Sequence, residues 1–410
     1  MYTDLPLWCF ITGKLTALLD TKQDHTMEIF DIAVAGAGPA GCMAAKSAAL
    51  LGKKVCLLER KSTPGYPARC GEGIGNRGLV LTLDPKSKWI KNDIKTASMI
   101  SPSGIKVTIG SMDTSHILDR ELMDNDLADD AAACGADLRC SSPVTSVERD
   151  KEGNYILTGP SEPIKARCLI IADGVESRLA RFLGWDTVLK DEDIETCAFA
   201  RVTSPLLEKS SCLFYTGKEV SPGGYAWIFP RMKGEANVGL GISGTYSEAG
   251  KARELLMQFI DRELPGAKVS KLHCGGVPVA KWLRPLVRDG AMLVGDAARQ
   301  VNCLNGAGIA YGLYAGKLAG QIAAEAITEN GVNYPHLKNY EKQWKRGFGK
   351  QQDRSFSLKE FVRGLDDSFL DKIAHSFSKE DPNNINYVKI FTKTVARRPL
   401  LIFKTLKLFK

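Results

Sequence analysis

Nowhere in the 410 residues do roughly 18 apolar residues run unbroken, the length a membrane-crossing helix needs. The longest mostly apolar window, 34–51, is interrupted by Lys46 and by glycines that read as a turn. The 11 cysteines, spread from Cys9 to Cys303, include no C-x-x-C, and none stands at zinc-like spacing from the 5 histidines. No metal site is therefore expected. Neither sign of charge dominates: 55 basic against 47 acidic residues leave a scattered +8, which does not point to nucleic acid. No internal repeat occurs. With 44% hydrophobic and 25% charged residues the composition is globular, which excludes collagenous and disordered classes. Residues 1–26 hold a short apolar stretch, Leu5 to Phe10, without a basic leader or a clear cleavage site. A reduced, cytoplasmic protein is expected, with 1–26 outside the fold.

A strand pattern begins just after Met27. Residues 30–35 read as a buried strand, 39–51 as a small-residue helix and 54–58 as a second buried strand, together a βαβ unit. Residues 119–136 read as a helix, 144–147 and 169–172 as strands. Residues 195–245 alternate apolar and polar between Gly and Pro breaks, as an antiparallel sheet does. A short strand at 291–294 leads through a glycine-rich turn into a helix over 309–327, and the chain from 335 onward is mainly helical.

Between the first strand and helix lies Gly36-Ala37-Gly38-Pro39-Ala40-Gly41, a G-x-G-x-x-G in the context that motif requires. Gly36 permits the tight turn, Gly38 lets a pyrophosphate approach the backbone, and Gly41 lets helix and strand pack closely. The helix N-terminus supplies free N–H groups for the phosphates. Glu59 ends the second strand 18 residues beyond Gly41, where a carboxylate accepts hydrogen bonds from ribose hydroxyls. A second glycine cluster decides between dinucleotides. Gly295-Asp296 follows a strand, and a loop then feeds a helix at Gly308-Ile309. A long cofactor such as FAD needs this distant second contact, and a nicotinamide dehydrogenase does not. Asp296 suits the ribitol hydroxyls, although on spacing alone it also suits a helix N-cap. The amides at Gly308 and Ile309 suit the pyrimidine edge of a reduced flavin.

These motifs, with Ala172-Asp173-Gly174, resemble the FAD-binding fold of aromatic hydroxylases. Two more narrow the resemblance: Arg69-Cys70-Gly71-Glu72-Gly73, and the run from Pro222-Gly223-Gly224-Tyr225 through Trp227 to Phe229-Pro230. Together they are similar to the geranylgeranyl reductase family, from about Met27 into the C-terminal helices, and within it to the archaeal branch acting on digeranylgeranylglycerophospholipids. The resemblance implies an α/β fold: a Rossmann-like FAD-binding domain (27–185 plus 281–330), an inserted antiparallel β-sheet substrate domain (186–280), and a C-terminal helical region (331–410). It implies FAD contacts at Gly41, Glu59, Cys70, Gly71, Gly73, Arg120, Val144, Asp296, Gly308 and Ile309. Arg120 would reach the pyrophosphate and Val144 the adenine side. Tyr225 and Trp227 would line the substrate cavity, though alternation alone equally fits sheet packing. The chain departs from the family at Asn302-Cys303-Leu304-Asn305-Gly306-Ala307-Gly308. Cys303 stands for a proline that stiffens the loop, and Ala307 adds a methyl near the expected ring.

The implied reaction saturates the isoprenoid double bonds of membrane lipids, with a hydride from reduced FAD and a proton from an acid, for which Cys70 and Tyr225 are the candidates. The partners are then a prenylated glycerophospholipid and an external electron donor: ferredoxin, reduced deazaflavin or NADPH. No second nucleotide motif and no iron–sulfur ligand pattern chooses among them. Residues 397–410 carry Arg397, Arg398, Lys404, Lys407 and Lys410 and no acid, with Ile402, Phe403, Leu406 and Phe409 on one helical face. Such a segment suits peripheral contact with the inner face of the cell membrane, or a terminal helix docked on the body. The alternatives are a flavin monooxygenase of the same fold acting on a small aromatic, and a non-catalytic electron-transfer flavoprotein at the membrane.

Overall fold

The computed structural model describes residues 27–329 and 331–379. The segments 1–26 and 397–410, on which two expectations fell, lie outside the described residues. Two sheets organise the rest. The first runs, in spatial order, Val287–Arg288, Ala291–Leu293, Ile164–Ile171, Ile29–Ala35, Val55–Leu58 and Ala136–Arg139, with the hairpin Ser146–Arg149/Tyr155–Thr158 attached to Ile164–Ile171. Its four central strands are parallel and, over their carboxyl halves, apolar on both faces, as strands covered by helices must be. The helices Pro39–Leu50 and Arg120–Ala133 pack on it, and Asp119 caps the latter through Oδ1 to the Leu122 N–H at 3.2 Å.

Helix Pro39–Leu50 is built of small residues for a reason visible across its contact with Ile309–Thr328. A Cβ on Gly316 would stand 2.0 Å from the Ala40 carbonyl oxygen, and one on Gly320 2.2 Å from that of Ala44. Only glycine at both positions lets the two backbones approach so closely. The N-termini of these helices, at Gly38 and Gly308, are thereby locked together.

The second sheet runs Lys268–Val277, Glu195–Thr203, Glu235–Ser243, Tyr225–Pro230, Ser211–Tyr215, Ile90–Ile100, Lys106–Leu118 and Gly73–Gly75. It is antiparallel except where Ser211–Tyr215 meets Ile90–Ile100. Alternation divides its faces. Ala198, Ala200, Val238 and Leu240 face helix Lys251–Glu263 and its Leu256, Phe259 and Ile260. Cys197, Phe199, Trp227 and Phe229 face the other way, toward the first sheet's carboxyl ends.

The structure confirms the α/β class and the expected strands and helices of the βαβ unit. It corrects three expectations. Three strands within 73–118 join the second sheet, so that sheet is not confined to 186–280. Their exposed lysines and aspartates mask the alternation: Asp93 and Lys95 flank the one deeply buried apolar residue of the 90–95 stretch, Ile94. The strand expected at 144–147 begins at Ser146 and runs on to Arg149. The strand expected at 169–172 extends back to Ile164, with Lys165 and Arg167 on its partly exposed side.

Candidate functional site

The first glycine turn is shaped by contacts that leave no room for side chains. Gly36 has φ +109°, and a Cβ there would lie 2.3 Å from the Ala172 carbonyl oxygen. A Cβ on Gly41 would lie 1.8 Å from the Gly36 carbonyl oxygen. At Gly38, by contrast, a Cβ would meet nothing within 4 Å, and no side chain caps the helix that starts there. The turn is closed toward the protein and open where a pyrophosphate would approach. Glu59, buried at the end of its strand, accepts the Ala37 N–H through Oε2 at 2.9 Å and the Lys61 N–H through Oε1 at 3.0 Å. It therefore holds the turn as well as standing where a ribose would lie.

The second turn, 295–308, brings Asp296 against the helix start: a Cβ on Gly308 would lie 3.4 Å from Asp296 Oδ1. No hydrogen bond reaches the Asp296 carboxyl from the described residues. Burial, opposed by the Arg120 charge, pushes it up to about 6. Ile309 is buried behind it. Cys303 leaves the loop anchored despite the missing proline. Its thiol donates to the Ala280 carbonyl oxygen at 2.9 Å, and its N–H donates to Ser355 Oγ at 3.1 Å. Ala307 is exposed. Asp173 belongs to the Ala172-Asp173-Gly174 motif and carries a signal that the motif alone does not show. Its Oδ2 accepts the Leu179 N–H at 3.0 Å, while its buried Oδ1 has no partner among the described residues, and burial raises its pKa. An orphaned carboxylate oxygen on a cleft wall is what a hydroxyl-rich ligand would satisfy.

A cleft of about 230 Å³ lies between the two sheets, with Asp173, Asp296, Cys70 and Gly71 on one side and Cys197, Phe199 and Trp227 on the other. The Arg69–Gly73 loop is laid against the second sheet: a Cβ on Gly71 would be 3.3 Å from the Phe229 ring and 3.4 Å from Trp227, and one on Gly73 3.2 Å from Phe229. Glu72 fastens it. That residue, at φ +68°, is buried, and its carboxylate takes Arg231 Nη1 at 2.6 Å and Arg201 Nη2 at 3.1 Å. Asn237 completes the clamp, donating from Nδ2 to the Cys70 carbonyl oxygen at 3.0 Å and accepting the Trp227 indole N–H at 2.9 Å. Cys70 Sγ accepts the Glu72 N–H at 3.2 Å. Burial pushes the Cys70 thiol above its ordinary value, against the pull of Arg120, so the sulfur carries its proton at neutral pH.

Two expected site residues are placed differently from a free ligand contact. Arg120 commits Nε and Nη2 to Asp124, both at 2.8 Å, an i,i+4 pair that fixes the guanidinium beside Cys70 and Asp296. Val144 sits half-buried in the loop before Ser146, packed on the core. Tyr225 donates its hydroxyl to the Asn305 carbonyl oxygen at 2.7 Å, tying the second sheet to the 295–308 turn, and burial raises its pKa. The open face at Gly38, the unpartnered Asp173 Oδ1 and the bare Asp296 carboxyl, strung along one path, fit an elongated dinucleotide.

Residues 193–277 match the family model described as the geranylgeranyl reductase catalytic domain. A digeranylgeranylglycerophospholipid reductase of Methanothrix thermoacetophila is 37% identical over 91% of this chain and 98% of its own. Among solved structures, a geranylgeranyl bacteriochlorophyll reductase-like protein from Thermoplasma acidophilum superposes with a TM-score of 0.85 at 32% identity, covering 93% of this chain and 99% of that one. The halogenase PltM, solved in complex with FAD, shares the fold alone, with a TM-score of 0.66 at 16% identity over 85% of this chain and 79% of that one.

Proposed function

The chain belongs to the geranylgeranyl reductase family, and from that premise we propose that it saturates the isoprenoid double bonds of digeranylgeranylglycerophospholipids, with FAD as its cofactor. The observation that carries the reading is the cleft between the sheets. One wall offers acceptors without partners among the described residues, Asp173 Oδ1 and the Asp296 carboxyl. The other offers the aromatic face of Phe199 and Trp227. A flavin suits the first and a prenyl chain the second.

Reduced FAD, when bound, supplies a hydride to one carbon of an otherwise unactivated double bond. The first turn and Glu59 would hold its adenosine end, and Asp296, Gly308 and Ile309 its ring end. Trp227 and Phe199 exclude water and orient the chain. The proton for the second carbon comes from Cys70, whose raised pKa keeps it protonated and whose loop is clamped in the cleft. Tyr225 is the poorer donor, because its O–H is already engaged in a hydrogen bond to the Asn305 carbonyl oxygen. Cys70→Ala is accordingly expected to slow single-turnover saturation by about 10²–10⁴, the range for a lost general acid, and Tyr225→Phe by under about tenfold. Unchanged turnover in Cys70→Ala would eliminate Cys70.

The electrons that reduce the flavin come from outside the chain. Among the described residues no helix is long and apolar enough to cross a membrane. The basic segment 397–410 is proposed to lie on the anionic lipid surface from which substrate is drawn. Deleting it is expected to abolish sedimentation with anionic liposomes, and unchanged sedimentation would remove the membrane role.

The direct test of the function is anaerobic incubation of the dithionite-reduced, FAD-loaded protein with digeranylgeranylglyceryl phosphate, followed by lipid mass spectrometry. A mass gain of one hydrogen pair for each double bond is expected. Unaltered lipid would overturn it.

A further inference from the structure

Glu195 is a buried acid that the mechanism above leaves unused. It opens the strand Glu195–Thr203, and the two-residue period puts it on the face of Cys197 and Phe199, both of which line the cleft. Glycine makes its place. Gly241 lies directly across from Cys197 on one side and from Tyr225 on the other. A Cβ there would be 2.9 Å from Glu195 Oε2 and 3.1 Å from Cys197 Sγ. Carboxyl and thiol thus meet over one bare backbone position, and no hydrogen bond reaches the carboxyl from the described residues.

We propose that Glu195 is the proton reservoir of the cleft, recharging Cys70 by way of the Cys197 thiol after each double bond is reduced. The inference rests on the reading of Cys70 as proton donor. In the first turnover the Cys70 S–H bond breaks and its proton goes to carbon, leaving a thiolate. Cys197 gives its proton to that thiolate, and the Glu195 carboxyl gives its own to Cys197. The resulting carboxylate regains a proton from bulk water. No electrons move in this relay. Cys197 is placed for it, since it lines the same cleft as Cys70 and its sulfur flanks the Gly241 position together with Glu195 Oε2.

The groups facing Glu195 set its working range. Cys197 and Tyr225 are raised far above neutrality by burial, so both face Glu195 uncharged. Lys359, from helix Lys350–Arg363, is the cation facing it. That charge is spent on the Val279 carbonyl oxygen at 2.7 Å and the Glu192 carbonyl oxygen at 3.2 Å, with Glu360 and Asp193 carboxylates at 3.6 and 3.9 Å. Burial therefore prevails and pushes Glu195 up to about 7. Asp296, on the opposite wall, titrates near 6 against Arg120, and the variant below separates the two.

The test compares wild type, Glu195→Gln and Cys197→Ala, each FAD-loaded and matched in melting temperature, with dithionite in excess. In Glu195→Gln the first turnover is expected at the wild-type rate, because Cys70 starts with its proton. Later turnovers are expected to slow at least about tenfold. The fall in wild-type steady-state rate as pH rises through about 7 disappears in that variant. Cys197→Ala gives the same slow steady state. Independently of turnover, infrared spectra of wild type and Cys197→Ala show a protonated-carboxyl band that fades as pH rises through about 7, and Glu195→Gln lacks it. A Glu195→Gln enzyme with wild-type steady state and pH break, or a wild type without that band, overturns the relay alone. A wild type that saturates no lipid overturns the functional reading and the relay with it.

Discussion

Gly41→Ala is expected to yield a destabilised, colourless protein, and Gly38→Ala a well-folded one that has lost most of its flavin affinity. The two substitutions add the same methyl group to one short motif, and the space each meets is opposite. At Gly41 the new carbon would sit 1.8 Å from the Gly36 carbonyl oxygen, inside the turn, so helix Pro39–Leu50 must move off its strand. Helix Ile309–Thr328 leans on Ala40 and Ala44, so the displacement is carried to the second turn as well. Overpacking of this kind costs about 1–3 kcal/mol or more. At Gly38 the carbon meets nothing within 4 Å of the protein, and the fold has no reason to change. The methyl instead occupies the approach of the pyrophosphate, with a loss of at least about tenfold in affinity, or about 1.4 kcal/mol. Thermal melts and flavin titrations on both variants check the pair. Equal flavin binding by Gly38→Ala and wild type would show that the open side of the turn is not where phosphate lies.

Glu72→Gln is expected to cost about 3–5 kcal/mol, the penalty for breaking a buried ion pair by removing one charge. Glu72 receives Arg231 at 2.6 Å and Arg201 at 3.1 Å, and Asp119 at 3.4 Å is the other carboxylate near Arg231. Arg201 already buries Nη1 without a partner among the described residues, so none of them offers it a spare acceptor. The glutamine keeps the shape and loses the charge, leaving two guanidinium groups facing each other. Because Glu72 also fixes the loop that carries Cys70, the saturation rate is expected to fall with stability. Urea unfolding of the FAD-free protein reads the first effect. A loss below about 1 kcal/mol, as for a solvated pair, would show that the clamp is not a buried ionic junction.

The residues most legible in the sequence were those whose demands are local. Gly36, Gly38 and Gly41 announce a turn because each answers to the backbone within a few positions, and Glu59 follows at a spacing set by one helix and one strand. Gly295-Asp296 and Gly308 were legible for the same reason. Long-range pairings left no such trace. Glu72 meets Arg201 and Arg231 across separations of 129 and 159 residues, so the clamp on Cys70 could not be read from the chain. Arg120 showed its charge and its helix start, but its commitment to Asp124 had to be seen. Gly316 and Gly320 fall inside the helix expected over 309–327 with no local mark of their role, which comes from the carbonyls of Ala40 and Ala44 facing them. Glu195 looked like one polar position in an alternating strand. Its character comes from Gly241, on a neighbouring strand, which leaves the carboxyl buried and without a hydrogen bond.

The central claim is that two glycine turns, locked together by the Gly316 and Gly320 contact, grip opposite ends of one cofactor. Titration of the flavin-free protein with FAD and, separately, with FMN, followed by quenching of flavin fluorescence, measures this directly. The account predicts stoichiometric FAD uptake with at least about a hundredfold preference over FMN, some 2.8 kcal/mol contributed by the adenosine end. Equal affinity for the two, or no uptake of either, would contradict it.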